Sequence, residues 1–531
     1  MKILKFGGSS VATPERIKAA IDIIQSSKSE EPVAIVFSAF GGVTDLLISL
    51  SQLALSSDLE YKSKLAQLEK RHLDAVRELI SIQKQSSILA QVKSMINELE
   101  DILHGVYLVR ECTPRTLDYI MSFGERLSAY IIAEASKASD VASEFLDARK
   151  VIRTDNHFGY AKVDFTTTNL LIQDYFKTHS DVQIITGFIG TAESGETTTL
   201  GRSGSDYTAA IFAGALKAST LEIWTDVDGM MTADPRKVKK AFTVKEMTYE
   251  EAMELSHFGA KVIFPATMQP AMVHKIPIRV KNTFNPSFPG TVISADANGK
   301  NLTIKGISSV SNISLLNIQG SGLIGVVGVS LRLFGTLAKE KVNVVLISQA
   351  SSEHTICIAI ESQYVIRAKA AIEKEFQFEI RNREMDEVVV KNDLAIVAIV
   401  GENMKHNPGT SGRMFRSLGK NGVNIYAIAQ GSSERNISAV ISHADSSKAL
   451  NSLHEAFFLS DRKVLNVFMV GTGLIGKSLL QMIKSQFALL AVENLLEVSV
   501  IAVANSKKML FDELGLKTDT CIDKMKAEGE P

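Results

Sequence analysis

The stretch VNVVLISQASSEHTICIAI (residues 342–360) aligns without gaps on VNIYAIAQGSSERNISAVI (423–441), 81 residues further along the chain. Val, Asn, Gln, Ser-Ser-Glu and three Ile positions coincide. Each copy is preceded at equal distance by an apolar helical pattern, in which Phe334 and Leu337 match Phe415 and Leu418. A unit that recurs must bury its apolar face the same way twice, and two copies are too few for a solenoid. The repeat therefore predicts two copies of one small α+β domain, over 310–390 and 391–462. Different architectures must flank them.

Upstream, residues 1–300 alternate strand and helix signals, the pattern of an α/β sheet with helices on its faces. KILKF reads as the first strand, and Thr13-Pro14 marks the start of the helix PERIKAAIDIIQ. PVAIVFSAF is nearly all apolar, as a parallel strand buried on both faces requires. From about 58 to 110 the pattern is helical, and Leu89, Val92, Ile96, Leu99, Leu103 and Val106 recur at core spacing. Strands resume with VQIITGFIG and TLEIWTDV; the turn-rich KNTFNPSFPGT then marks a domain boundary.

The full chain of 531 residues is too long for one core. A formal charge of −1 gives no global basic field for nucleic acid or an anionic membrane. Cys112, Cys357 and Cys521 share no metal or disulfide spacing, which fits a reducing compartment. With no signal-peptide core at MKILKF and no apolar run of spanning length, the expected location is cytoplasmic.

Downstream, VLNVFMVGTGLIGKSLLQMI (464–483) satisfies two nucleotide patterns together. Gly471, Gly473 and Gly476 spell the dinucleotide fingerprint, while Gly471, Gly476, Lys477 and Ser478 spell a P-loop. A P-loop domain needs a later strand ending in Asp, but EVSVIAVANS ends in Asn505, with Ser506, Lys507 and Lys508 following. That favours the dinucleotide pattern, with basic residues able to accept a 2′-phosphate. Residues 463–531 hold about one βαβ unit and one further element, so the fold is expected to be incomplete.

Five stretches hold candidate site residues. KFGGSS (5–10) ends the first strand in a glycine turn, where Gly7 and Gly8 let backbone approach a phosphate and Lys5 can neutralise transferred charge. SAFGGVTD (38–45) repeats the device with Ser38 and Thr44. TLGRSGSDYTAA (199–210) sets Arg202 and Asp206 among small residues before an apolar helix; a structural Arg–Asp ion pair is the bland alternative. WTDVDGMMTADPR (224–236) carries Thr225, Asp226 and Arg236, and FGAKV carries Lys261.

In order and spacing these stretches resemble the aspartokinases of the amino-acid kinase family. The repeat resembles their paired ACT regulatory domains, and the last segment resembles the start of homoserine dehydrogenase. The whole chain is thus similar to bifunctional aspartokinase–homoserine dehydrogenases of the threonine-sensitive type, with the dehydrogenase part truncated. The resemblance implies transfer of the ATP γ-phosphoryl group to the side-chain carboxylate of L-aspartate, with magnesium held by phosphates and no dedicated metal ligands. It implies that Lys5 stabilises the phosphoryl group and Asp206 orients Lys5. Gly7, Gly8 and Ser9 would bind phosphate, and Thr225, Asp226, Arg236 and Lys261 the nucleotide. Thr44, Glu125 and Arg202 would bind aspartate. Gly471, Gly473 and Gly476 would belong to an NAD(P) site, with no dehydrogenase activity expected from this chain. Gln349 and Gln430 would contact a feedback amino acid, most simply threonine, in a dimer or tetramer. Met231 and Phe264 stand where the family often has Tyr and His, and are left out of the expected site. Of two rivals, a dehydrogenase as the main activity is expected to fail on length, and a non-catalytic amino-acid sensor is kept as the alternative.

Overall fold

The computed structural model describes residues 1–258, 263–295, 297, 302–323, 326–349, 355–459, 463–493, 496–512 and 515–530. The chain divides into two compact units, Met1–Gly412 with Leu418–Asn451, and Arg413–Ser417 with Ser452–Pro531.

An eight-stranded sheet organises the first part of the larger unit. Its order is Ser143–Leu146, Val182–Thr186, Val33–Phe37, Lys2–Phe6, Thr220–Thr225, Ile278–Asn282, Thr291–Ser294 and Glu246–Thr248. All neighbours run parallel except the Ile278–Asn282 and Thr291–Ser294 pair. The strand Val33–Phe37 is apolar throughout because helices cover both faces, and the period of two divides the burial. Leu4, Phe6, Ile35 and Phe37 enter a core with helices Pro14–Glu30, Val43–Leu55 and Pro114–Ala138. Ile3, Ala34 and Val36 enter a second core with helix Gly204–Leu216 on the opposite face.

The helical stretch expected over 58–110 is two helices, Glu60–Leu79 and Ile82–Val109. Ser81 breaks them with extended backbone (φ −63°, ψ 145°). Val92, Ile96, Leu99, Leu103 and Val106 are buried, whereas Leu89 packs only partly against that core.

The repeat folds as the 81-residue offset requires. Strands Val344–Gln349 and Thr355–Glu361 recur as Ile425–Gln430 and Asn436–Ser442, and helix Val329–Lys339 recurs as Thr410–Lys420. With Gly306–Gln319 and Val389–Val400 paired antiparallel in the middle, the copies make one six-stranded antiparallel sheet. Its two outer strands also meet, for Ser348 Oγ donates to the carbonyl oxygen of Ile428 at 3.1 Å. Arg332 lies 4.3 Å from the Phe376 ring centre, and the equivalent Arg413 lies 5.1 Å from that of Phe457. The two copies thus carry the same cation–π brace at equivalent positions.

In the smaller unit, Lys463–Val470 and Leu496–Ala504 are parallel and joined through helix Leu474–Glu493. Met509–Phe511 adds antiparallel to the second strand. Helix Cys521–Glu528 follows, so the βαβ unit carries two further elements where the sequence predicts one.

Candidate active site

Strand Lys2–Phe6 has parallel neighbours on both sides, and its chain turns beside the carboxyl ends of Val33–Phe37 and Thr220–Thr225. Open α/β sheets bind ligands in that crevice. The turns are stitched to one another there. Gly7 N–H donates to Trp224 O (3.1 Å), Ser38 N–H to Phe6 O (3.2 Å) and Gly187 N–H to Phe37 O (2.9 Å).

Glycine is required where two of these turns touch. A Cβ on Gly8 would lie 2.9 Å from the carbonyl oxygen of Ala39, and one on Gly41 would lie 3.0 Å from Gly8 O. Backbone cannot yield as a side chain does, so KFGGSS and SAFGG can pack only without side chains at these points. Two arginines hold the pair. Arg71 donates from Nη1 to Gly41 O (2.8 Å) and from Nη2 to Ala12 O (3.0 Å), and Arg16 donates to Ser9 O (2.7 Å).

The strand period puts Lys5 on the face of helix Gly204–Leu216, in whose first turn Asp206 sits. Lys5 Nζ lies 2.6 Å from Asp206 Oδ1, with each side chain about a tenth exposed. The Arg202–Asp206 alternative therefore does not form. Arg202 is exposed and lies over the Phe264 ring at 5.9 Å, beside a cavity of about 350 Å³ lined also by Tyr160, Lys162, Phe165 and Tyr207.

Glu125 projects from helix Pro114–Ala138 onto the second turn. Its Oε1 accepts the Ala39 N–H at 3.1 Å, and Oε2 is buried without a hydrogen-bond partner. Burial pushes its pKa up to about 8, only partly opposed by the Ala39 N–H, its own backbone and the charge of Lys5. A nearby cation would favour the ionised form that burial disfavours. Ser128 Oγ, one turn on, donates to Ser38 O at 2.8 Å and locks the helix to the same turn.

Lys5, Gly7, Gly8, Ser9, Thr44, Glu125 and Asp206 thus lie around the ends of the two central strands, with Thr44 half-buried at the start of helix Val43–Leu55. Thr225 Oγ1 bonds Asp226 Oδ1 (3.2 Å) at the end of the neighbouring strand. Arg236 is separate from these, exposed and bound bidentately to Asp234 (3.0 and 2.9 Å). Lys261 lies outside the described residues. Gln349 and Gln430 end the outer strands of the repeat in equivalent register, opposite Ile356 and Ile437. Both are exposed, and Gln430 Oε1 accepts from Ser411 Oγ (3.3 Å).

In the smaller unit a Cβ on Gly476 would overlap Gly471 O, so the Gly471–Gly473–Gly476 turn closes tightly into the helix. Asn505 Oδ1 accepts the N–H groups of Lys507 and Lys508 (2.8 and 2.9 Å), making a local turn where a ribose-binding acid would stand.

Sequence reasoning missed Arg16, Arg71, Phe188 and Ser203. Phe188 (φ +68°) and Ser203 (φ +55°) hold left-handed backbone next to the site. Such conformations collect at ligand clamps, but nothing in the residue type of Phe announces one. Among the described residues no group of three or more His, Cys, Asp or Glu could hold a metal ion, and no helix is long and apolar enough to cross a membrane.

The pattern of the amino acid kinase family matches residues 1–282, and that of the ACT domain matches 316–376 and 397–457. The chain is 36% identical over 533 residues to bifunctional aspartokinase/homoserine dehydrogenase 1 of Arabidopsis thaliana, covering 99% of this chain and 58% of that protein. It is 34% identical over 477 residues to the chloroplastic aspartokinase 1 of the same plant, covering 86% of this chain and 80% of that protein. It thus spans less than two thirds of the bifunctional relative's length. Among solved structures, E. coli aspartokinase III in complex with aspartate and ADP superposes with a TM-score of 0.73 at 28% identity, covering 86% of this chain and all of that one. The same enzyme with lysine and aspartate gives 0.69 at 29% identity, over 86% and 99%.

Proposed function

The chain belongs to the amino acid kinase family, and from that premise we propose that it is an aspartate kinase. The reaction moves the γ-phosphoryl group of ATP to the side-chain carboxylate of L-aspartate, giving 4-phospho-L-aspartate and ADP. That carboxylate is ionised at neutral pH, so no general base is needed. Catalysis then rests on positioning and on neutralising charge. The observation that carries the reading is the buried Lys5–Asp206 pair at the mouth of two touching glycine turns.

In this scheme Lys5 meets the transferring phosphoryl group and Asp206 fixes the ammonium in place. Gly7, Gly8 and Ser9 offer backbone to phosphate. Arg202 forks onto the substrate α-carboxylate, Glu125 pairs with its α-ammonium, and Thr44 donates to a carboxylate oxygen. Thr225, Asp226, Arg236 and Lys261 serve the nucleotide. Asp206 and Asp226 already have protein partners, which fits a magnesium ion held chiefly by phosphates. When bound, that ion screens phosphate charge.

The repeat supports feedback control, with Gln349 and Gln430 as effector contacts and threonine as the effector, in a homodimer or tetramer. The proposed domains are 1–300, 310–390, 391–462 and 463–531, and the location is cytoplasmic. The tight glycine turn of the last domain fits an NAD(P) pyrophosphate at a helix N-terminus. An NADPH fluorescence titration that saturates in the parent but not in Gly476→Ala tests that site.

A coupled assay for aspartate-dependent ADP formation tests the main reading. ADP formation indifferent to aspartate, or none at all alongside threonine binding, would favour an amino-acid sensor instead.

A further inference from the structure

Asp118 is fully buried, and it lies seven residues before Glu125 on the same helix. Seven residues are about two turns, so both carboxylates leave the same face. Every bond Asp118 makes leads away from its helix to one place. Its Oδ1 accepts from Thr199 Oγ1 (2.8 Å), and its Oδ2 accepts the N–H groups of Thr199 (2.9 Å) and Gly159 (2.9 Å).

Both partners bear on the segment that carries Arg202. Thr199 is three residues upstream of it, and Leu200 N–H is fixed to Phe188 O at 2.9 Å. Gly159 precedes Tyr160, whose ring packs so closely on Gly201 that a Cβ there would overlap it. Ala161 N–H closes the arrangement by donating to Thr199 O at 3.0 Å. One carboxylate therefore ties the helix bearing Glu125 to both strands of chain that hold Arg202.

We propose that Asp118 is a positioning residue for substrate recognition, setting the distance between Glu125 and Arg202 so that one amino acid's ammonium and α-carboxylate are read together. This rests on the aspartate kinase reading. A free carboxylate elsewhere on that helix would not do the same. Both backbone N–H groups converge on Oδ2, and an unmet N–H in this buried place costs the full desolvation of the group. Asparagine can keep both backbone bonds through its carbonyl oxygen while its amide donates to the Thr199 hydroxyl, so Asp118→Asn should serve nearly as well.

Steady-state kinetics of the full chain test this with four variants: Asp118→Ala, Asp118→Asn, Thr199→Val and Arg202→Ala. A displacement of 1 Å can cost on the order of a hundredfold, so a partial shift of Arg202 should raise KM for aspartate about tenfold in Asp118→Ala. KM for ATP and kcat should stay near the parent values. Asp118→Asn should restore KM, and Thr199→Val should raise it by less. In the Arg202→Ala background, Asp118→Ala should add nothing further. Parallel loss of both KM values and kcat, or an undiminished effect over Arg202→Ala, would reduce Asp118 to a structural residue. Should Asp118→Ala fail to fold, Thr199→Val decides, and an unmoved aspartate KM there overturns the proposal. A parent without aspartate-dependent turnover overturns the functional reading and this inference with it; an active parent with unmoved KM overturns the inference alone.

Discussion

Glu125 accepts the backbone N–H of Ala39 with one oxygen and buries the other without a hydrogen-bond partner. The result is a glutamate whose pKa is pushed up from 4.5 to about 8, chiefly by burial. Between those values the native state holds a proton that the unfolded state releases, so this group's contribution to stability falls as pH rises through the window. Glu125→Gln removes the term. Its melting temperature, measured without substrate, should gain on the parent's steadily from about pH 5 to about pH 8. A difference that does not change with pH would show that the carboxyl titrates normally. On the proposed role of Glu125, aspartate binding needs the ionised form, so the parent's KM for aspartate should fall over the same interval.

Lys5→Ala and Asp206→Ala should each lower kcat by about a hundred- to a thousandfold, the usual cost of one preorganised charge contact at a transition state. Circular dichroism should show the fold intact in both. Each single variant strands a buried charge, so the double variant should melt higher than the two losses added together predict. A kcat within about threefold of the parent in either single variant would remove these roles.

Arg71 reaches two carbonyl oxygens on different turns, and a lysine ammonium cannot span both. Arg71→Lys and Arg71→Ala should therefore behave alike, raising KM for ATP about tenfold, in line with hydrogen bonds to a charged group. KM for aspartate should move little. If Arg71→Lys matches the parent, the brace between the turns is not what holds the phosphate site.

Gln349→Ala and Gln430→Ala should each weaken inhibition of the kinase by threonine, by about five- to a hundredfold for couplings of ordinary size. Titrating activity with threonine, lysine and methionine separates the alternatives. Unchanged threonine sensitivity in both variants excludes these glutamines, and inhibition by lysine alone overturns the effector.

Local signals were strong enough to read the central strands and the repeat. KILKF and PVAIVF announce themselves as apolar runs ending in glycine turns, and the repeated strands fall at the same offset in sequence and structure. Lys5 and Asp206 were each legible as charges at strand–helix junctions. Their pairing was not fully so, because Arg202 offered Asp206 a nearer partner in sequence. Arg71 was hidden for a different reason. It stands on the amphipathic helix Glu60–Leu79 among exposed charges, and only the fold turns that position toward two carbonyls. The break at Ser81 carries neither Gly nor Pro, so periodicity alone ran the two helices together.

The place of strand Lys2–Phe6 in the middle of the sheet bears on how the chain is made. The segment leaves the ribosome well before one of its neighbours, Thr220–Thr225, and before Asp206, the partner of Lys5. At bacterial or eukaryotic rates of about 5–20 residues per second, roughly two hundred further residues take about 10–40 s to appear. During that interval an apolar strand has only half its pairing available, in a topology whose long-range contacts are slow to close. Nascent chains of this protein should therefore depend on a holding chaperone until Thr220–Thr225 has been made.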